Sequence, residues 1–252
     1  MTRIIMHGCN GRMGQMITDI VNEDPDAEIV AGIDVADNIE TNRYPVFTDI
    51  DTCNVEADVV IDFSTAKAVD KLIDYCERRN LPLVLCSTGL SEEQIARVKN
   101  DSSKIAILKS ANMSLGINVL MKALKEVAKT LAPAGFDIEI VEQHHHNKLD
   151  APSGTALALA DSINEEFDNS YEYVYDRSQV RKKRDPKEIG ISAVRGGSIV
   201  GDHQVIFAGL DEVVTIQHTA YSRAIFAKGA VAAAKFLKDK TNGLYDMSDV
   251  IG

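Results

Sequence analysis

The sequence predicts an α/β protein: a doubly wound parallel sheet, with a second α+β domain inserted before the C-terminal helix. Three observations predict it. Short β-branched strands alternate with amphipathic helices from the N-terminus to about residue 110, the pattern of a parallel sheet covered on both faces. A glycine-rich turn follows the first strand directly. A strand-rich segment, 189–220, then precedes an apolar helix at the C-terminus.

TRIIMH (2–7) is a buried strand stopped by glycine. A helix is expected from about Gly11 to Asn22, then a strand over 28–34 (EIVAGID) and another over 57–64 (ADVVIDFS). Residues 66–79 have helical spacing, with Val69, Leu72, Ile73 and Cys76 on one side. LPLVLCST (81–88) reads as a strand. A helix over 91–100 follows, with Ser91 and Gln94 at capping-box spacing. Residues 104–110 are one more strand.

The pattern then changes. Residues 112–132 form a long helix, the first half of 136–146 a strand and 155–167 a helix. ISAVRGG, SIVGDHQVIFAG and EVVTIQHTAY are expected to be consecutive antiparallel hairpins. The helix over 224–240 is apolar around most of its circumference and is expected to pack back on the first sheet. The expected domains are therefore 1–113 with 223–252, and 114–222.

HGCNGRMG places Gly8, Gly11 and Gly14 at GxxGxxG spacing between strand one and helix one. This differs from the GxGxxG dinucleotide fingerprint by one place. Gly8 permits a tight turn, Gly11 a close backbone approach to a pyrophosphate, and Gly14 close helix–sheet packing. The helix N-terminus offers N–H groups and partial positive charge to phosphates. Asp34, ending strand two, can accept hydrogen bonds from the adenine ribose. The expectation is a Rossmann-like domain that takes NADH or NADPH. Val35 follows Asp34, so a 2′-phosphate would need Arg12 or Arg43 as its cation.

A net charge of −11 over 252 residues argues against general nucleic-acid or membrane-surface binding. The basic run RKKR (181–184) is a solvated loop or a local anion site. Cys9, Cys53, Cys76 and Cys86 form no CxxC pair, which suggests reduced thiols and a cytoplasmic protein. No signal peptide or spanning run is evident.

The densest chemistry is EQHHHNKLDAPSGTA, 142–156. As a metal site, His144 and His146 on one side of a strand could join a carboxylate. The spacing matches no HExxH motif, and no metal is expected. As a catalytic site, a histidine can supply the proton that accompanies a hydride to C=N or C=C. A lysine four residues on can neutralise a carboxylate, and Gly154 and Thr155 at a helix start can seat another. That describes a site for a small unsaturated dicarboxylate.

Together with HGCNGRMG, IDFS (61–64), CSTG (86–89), SANMSLGIN (110–118) and VRGGSIVGDH (194–203), this block resembles 4-hydroxy-tetrahydrodipicolinate reductase, the dihydrodipicolinate reductase of bacterial lysine and diaminopimelate synthesis. The resemblance covers nearly the whole chain. It implies that His144 protonates the reduced ring, and that Lys148 is a second proton donor and a carboxylate partner. His145, Gly154 and Thr155 become substrate contacts. Gly8, Cys9, Asn10, Gly11, Arg12 and Met13 become the pyrophosphate loop and Asp34 the ribose acid. Cys86, Ser87 and Thr88 would lie beside the nicotinamide. Ser110, Ala111, Asn112 and Met113 would form a cofactor-binding hinge, and the second domain would assemble a homotetramer. Three departures stand out: Asp34–Val35 where some members carry glutamate–arginine, Cys86 where glycine is frequent, and Met113 where an aromatic is common. Domain closure over cofactor and substrate is expected. The alternatives are a metal-dependent hydrolase and a non-catalytic dinucleotide sensor.

Overall fold

The computed structural model describes residues 1–36, 42–178 and 181–252. Its chain divides into two units, Met1–Leu115 with Ala224–Gly252, and Gly116–Arg223.

Elements are numbered in chain order. In the first unit the strands are β1 (Thr2–His7), β2 (Ala27–Ile33), β3 (Val46–Phe47), β4 (Val59–Asp62), β5 (Leu83–Leu85), β6 (Ala106–Leu108) and β12 (Gly243–Tyr245). They pair in parallel in the order β12-β6-β5-β4-β1-β2-β3. The strand order reverses between β1 and β4, and that reversal opens a crevice at the carboxyl ends of the strands. Each strand is apolar on both faces because helices cover both. Ile4, Met6, Val59, Ile61 and Val84 point towards α1 (Arg12–Asn22) and α6 (Ala224–Leu237). Ile5, Val60, Leu83 and Leu85 point towards α2 (Ala66–Arg79) and α3 (Glu92–Asp101). Each such buried side chain contributes about 1.5–3 kcal/mol relative to exposure.

Local chemistry sets the ends of these helices. Ser91 and Gln94 form the expected reciprocal cap on α3, which satisfies two otherwise orphaned N–H groups. The chain leaves α2 through Asn80 in the left-handed region. As expected, α6 lies against the first sheet, where it meets α1, β4 and β5. A Cβ on its Gly229 would stand 1.7 Å from the Met113 carbonyl oxygen, so close approach explains a glycine in mid-helix. β12 and the short α7 (Met247–Ile251) follow α6 and add an edge strand beside β6, an element the sequence analysis did not anticipate.

The second unit contains α4 (Leu115–Leu131), β7 (Asp137–His144), α5 (Gly154–Asn164), β8 (Glu172–Val174), β9 (Glu188–Arg195), β10 (Gly201–Ala208) and β11 (Val213–Ala220). Its sheet runs β11-β10-β7-β9-β8. Ile138, Ile140, Ile189, Ile191, Val205 and Phe207 form its core with Leu120 and Leu124 of α4 and Leu159 and Ile163 of α5.

Here the expectation of consecutive hairpins is corrected. β10 and β11 do form an antiparallel hairpin, but β9 pairs in parallel with both β7 and β8. β7 lies between β9 and β10, so the connection 196–200 crosses the end of β7 instead of turning back. The crossing is held by backbone bonds: Gly196 N–H donates to the His144 carbonyl (2.9 Å), His145 N–H to Ile199 (2.8 Å) and His146 N–H to Gly197 (3.3 Å). Two residues of the basic run, Lys182 and Arg184, are committed internally. Arg184 donates to Asp137, Glu139 and three main-chain carbonyls, and Lys182 pairs with Glu188 at 3.4 Å.

Candidate active site

In the first unit the turn at Gly8 and the close packing at Gly14 are as expected. Gly8 has φ +81°, and a Cβ there would lie 2.6 Å from the Phe63 carbonyl. A Cβ on Gly14 would lie 2.2 Å from the Gly8 carbonyl. Neither position admits a side chain, so the loop stays tight against the start of α1. Asp34 accepts the Asn10 N–H at 2.9 Å, which ties the end of β2 to this loop. The Asn10 side chain donates to the Ala36 carbonyl.

A cleft of about 640 Å³ opens here, lined by His7, Gly8, Asn10, Gly11, Asp34, Val35, Ile50, Ala68 and Leu72 among others. Its mixture of an apolar wall, a glycine loop and a carboxylate fits an adenosine joined to a pyrophosphate. The cations lining it are Lys67 and Lys71 rather than Arg12 or Arg43. Lys71 is already held by Asp49 at 2.6 Å and Asp51 at 3.1 Å.

The other expected cofactor residues divide by where their side chains go. The Cys9 thiol is buried, packed towards Gly32, and burial pushes it up to about 12. Only its backbone can serve a nucleotide. Met13 and Met113 pack into the core. Cys86, Ser87 and Thr88 follow β5, at the same carboxyl edge of the sheet. Burial pushes the Cys86 thiol well above its usual value. The buried Ser87 hydroxyl lies 3.4 Å from that of Ser64, and Thr88 is exposed. Ser110, Ala111 and Asn112 follow β6 at that edge, and the buried Asn112 side chain accepts the Ser114 N–H at 2.8 Å.

In the second unit the histidine–lysine loop is built around Glu142, which is wholly buried. Arg195 donates to both of its oxygens, at 2.8 and 2.7 Å. The Ser153 N–H reaches it at 2.9 Å, and His144 Nδ1 at 2.7 Å. A buried carboxylate is tolerated only when so well paired. Burial raises the Glu142 carboxyl, but Arg195, His144 and the Ser153 N–H more than offset this and hold it below its ordinary value. The parallel pairing of β7 with β9 sets His144 opposite Arg195 in register and makes this cluster.

Glu142 fixes the Nδ1 proton of His144, which leaves Nε2 as the working nitrogen. Nε2 faces Gly201, where a Cβ would stand 3.1 Å away, so the glycine keeps that edge open. Burial lowers the His144 pKa; Glu142 opposes this, while Lys148 and Arg195 add to it, and the result lies below the usual imidazole value. His203 packs edge-on to His144 at 5.2 Å and meets the Ser153 hydroxyl at 3.0 Å. Burial pushes His203 down to about 4, so it is a neutral wall.

Lys148 pairs with Asp150 at 2.8 Å. Burial raises the Asp150 carboxyl, and Lys148 with backbone N–H groups, including that of Gly154, brings it below its usual range. α5 starts at Gly154 and Thr155, capped by the Ser153 hydroxyl accepting the Ala156 N–H at 3.2 Å. The Nδ1 of His145 is buried with no protein partner. His146 is exposed beyond the end of β7, so His144 and His146 do not share a strand face. Among the described residues, no three His, Cys, Asp or Glu side chains converge as metal ligands, and no helix is long and apolar enough to cross a membrane.

Glu142, Ser153, Arg195, His203, His7 and Asp62 all stand in the motifs quoted above, where the sequence assigns them no role. A buried acid two residues before a histidine was the available signal for Glu142.

Comparison with known proteins agrees over the whole chain. Residues 2–113 match the family model described as dihydrodipicolinate reductase, N-terminus, and residues 116–251 the corresponding C-terminus. A protein of Caldanaerobacter subterraneus named 4-hydroxy-tetrahydrodipicolinate reductase is 52% identical, covering 100% of this chain and 98% of its own. One of the same name from Clostridium tetani is 51% identical, covering 98% and 96%. The solved structure of a dipicolinate-bound dihydrodipicolinate reductase from Paenisporosarcina sp. TG-14 superposes with a TM-score of 0.81 at 25% identity, covering 98% of this chain and 97% of that one.

Proposed function

The chain belongs to the dihydrodipicolinate reductase family and is an oxidoreductase that reduces 4-hydroxy-tetrahydrodipicolinate on the route to diaminopimelate and lysine, and from this premise we propose how its residues divide the work. The net reaction adds a hydride and a proton and releases water. The bound nicotinamide supplies the hydride. His144 supplies the proton from Nε2, with its ring held by Glu142. One substrate carboxylate takes Lys148, displacing Asp150. The other sits at the Gly154–Thr155 start of α5, with His145 offering its unpartnered ring nitrogen. The dipicolinate bound by the Paenisporosarcina relative is a planar dicarboxylate of this kind.

The observation that carries this reading is the buried Glu142, paired at once with Arg195 and His144. A loop with no catalytic role has no need of a buried carboxylate aimed at a histidine whose other edge is kept open. Gly8, Asn10, Gly11 and Asp34, which line the 640 Å³ cleft, hold the dinucleotide there, with the backbone of Cys9 beside them. Ser87, Thr88, Ser110, Ala111 and Asn112, with the backbone of Cys86 and Met113, serve its nicotinamide half. Asp34 and Asp49 disfavour a 2′-phosphate, and Lys67 is the cation available to it, so both cofactors are accepted and NADH binds more tightly. The proposal includes a cytoplasmic homotetramer, supported by β11, whose residues alternate exposed and half-buried.

Lys148→Met tests the dicarboxylate reading. It is expected to raise KM for the substrate and cut kcat/KM by at least about 100-fold, since a charge-assisted partner of a desolvated carboxylate is lost. NADH affinity should stay at the wild-type value. An unchanged KM would remove Lys148 from the site.

A further inference from the structure

His7 and Asp62 end adjacent parallel strands, β1 and β4, and stand opposite each other in register. The imidazole Nδ1 lies 2.8 Å from Asp62 Oδ1. The Asp62 side chain is wholly buried, and its Oδ1 also accepts the Ser64 N–H at 3.1 Å and the Ser64 hydroxyl at 2.6 Å. Its other oxygen, Oδ2, is buried with no partner. His7 keeps 10% of its side chain exposed, and it lines the nucleotide cleft immediately before Gly8.

Resting on the cofactor reading above, we infer that His7 is a further dinucleotide-binding residue, donating Nε2–H to the pyrophosphate while Asp62 takes Nδ1–H. The argument is one of charge. Asp62 cannot shed its charge easily: burial raises its carboxyl, but the bonds from His7 and Ser64, with the Ser87 hydroxyl nearby, outweigh this and hold it below the ordinary range. An incoming pyrophosphate brings two more negative charges to a cleft already lined by Asp34 and Asp49. The cations lining that cleft are Lys67 and Lys71 of α2, and Lys71 is committed to Asp49 and Asp51. With Nδ1 committed to Asp62, Nε2 is the ring nitrogen left to face the phosphate, and a donor there between two anions makes a charge-assisted bridge. A brace between β1 and β4 alone would need no ring edge on the cleft.

Calorimetric titration of NADH near neutral pH tests this. His7→Gln is expected to bind NADH about tenfold more weakly than wild type, the loss of one charge-assisted hydrogen bond. Adenosine, which has no phosphate, should bind both proteins equally. A His7→Gln protein that keeps wild-type affinity for NADH overturns the inference, and so does one that loses affinity for adenosine as much as for NADH. Failure of wild-type protein to bind NADH at all would instead sink the cofactor reading beneath it.

Discussion

His144→Gln lowers kcat by about 10²–10⁴-fold, the range expected when a general acid is removed, and leaves NADH affinity unchanged. Glutamine can still donate to Glu142, so the fold around the buried carboxylate is kept while the transferable proton is lost. The wild-type pH profile gives a second readout. Because burial holds His144 below the ordinary imidazole value, its acid form fills as pH falls. The kcat/KM profile reports free enzyme, so it should decline as pH rises, with its break below the usual histidine range. A bound dianionic substrate favours the imidazolium, so the break in kcat should lie at higher pH. The His144→Gln profile should lack both breaks. A variant with wild-type kcat would remove the histidine from the chemistry.

Arg195→Met should destabilise the protein by about 3–5 kcal/mol, because it leaves the Glu142 carboxylate buried without its cation. Chemical denaturation measures this. Glu142→Gln added to Arg195→Met should recover much of the stability, since it removes the stranded charge. Activity separates the two roles of the pair. Arg195 is one of the cations that lower the His144 pKa, so the folded fraction of Arg195→Met should show its kcat/KM break at higher pH than wild type. Full stability in the single variant, or a double variant no more stable than the single, would contradict the account of the cluster.

The alternation of strand and helix made the first unit legible, and Gly8, Gly11, Gly14 and Asp34 marked its glycine loop from spacing alone. The loop from His144 to Thr155 was legible as one cluster because its residues are neighbours in sequence. What holds it was not legible. Arg195 lies 53 residues from Glu142, and the pairing exists only because β9 joins β7 in parallel. A period-two pattern shows which residues share a face, but not which strand they pair with or in which direction. A five-residue connection, 196–200, suits a hairpin as well as a crossing. β3, β8 and β12 are two or three residues long, too short for a periodicity to show. The cations of the nucleotide cleft were sought among arginines near the glycine loop, whereas α2 supplies Lys67 and Lys71 through its packing. Cys9, Met13 and Met113 lie in segments that resemble cofactor-binding ones, Met13 at the start of α1 and the other two in loops, yet their side chains pack against the core.

The most direct test is oxidation of NADH and NADPH by the purified protein, followed in the presence of dihydrodipicolinate synthase and its substrates. The account predicts that both are consumed only when the synthase is making product, one equivalent per molecule of product, with NADH used at the lower KM. Binding of both dinucleotides with no consumption of either would contradict it.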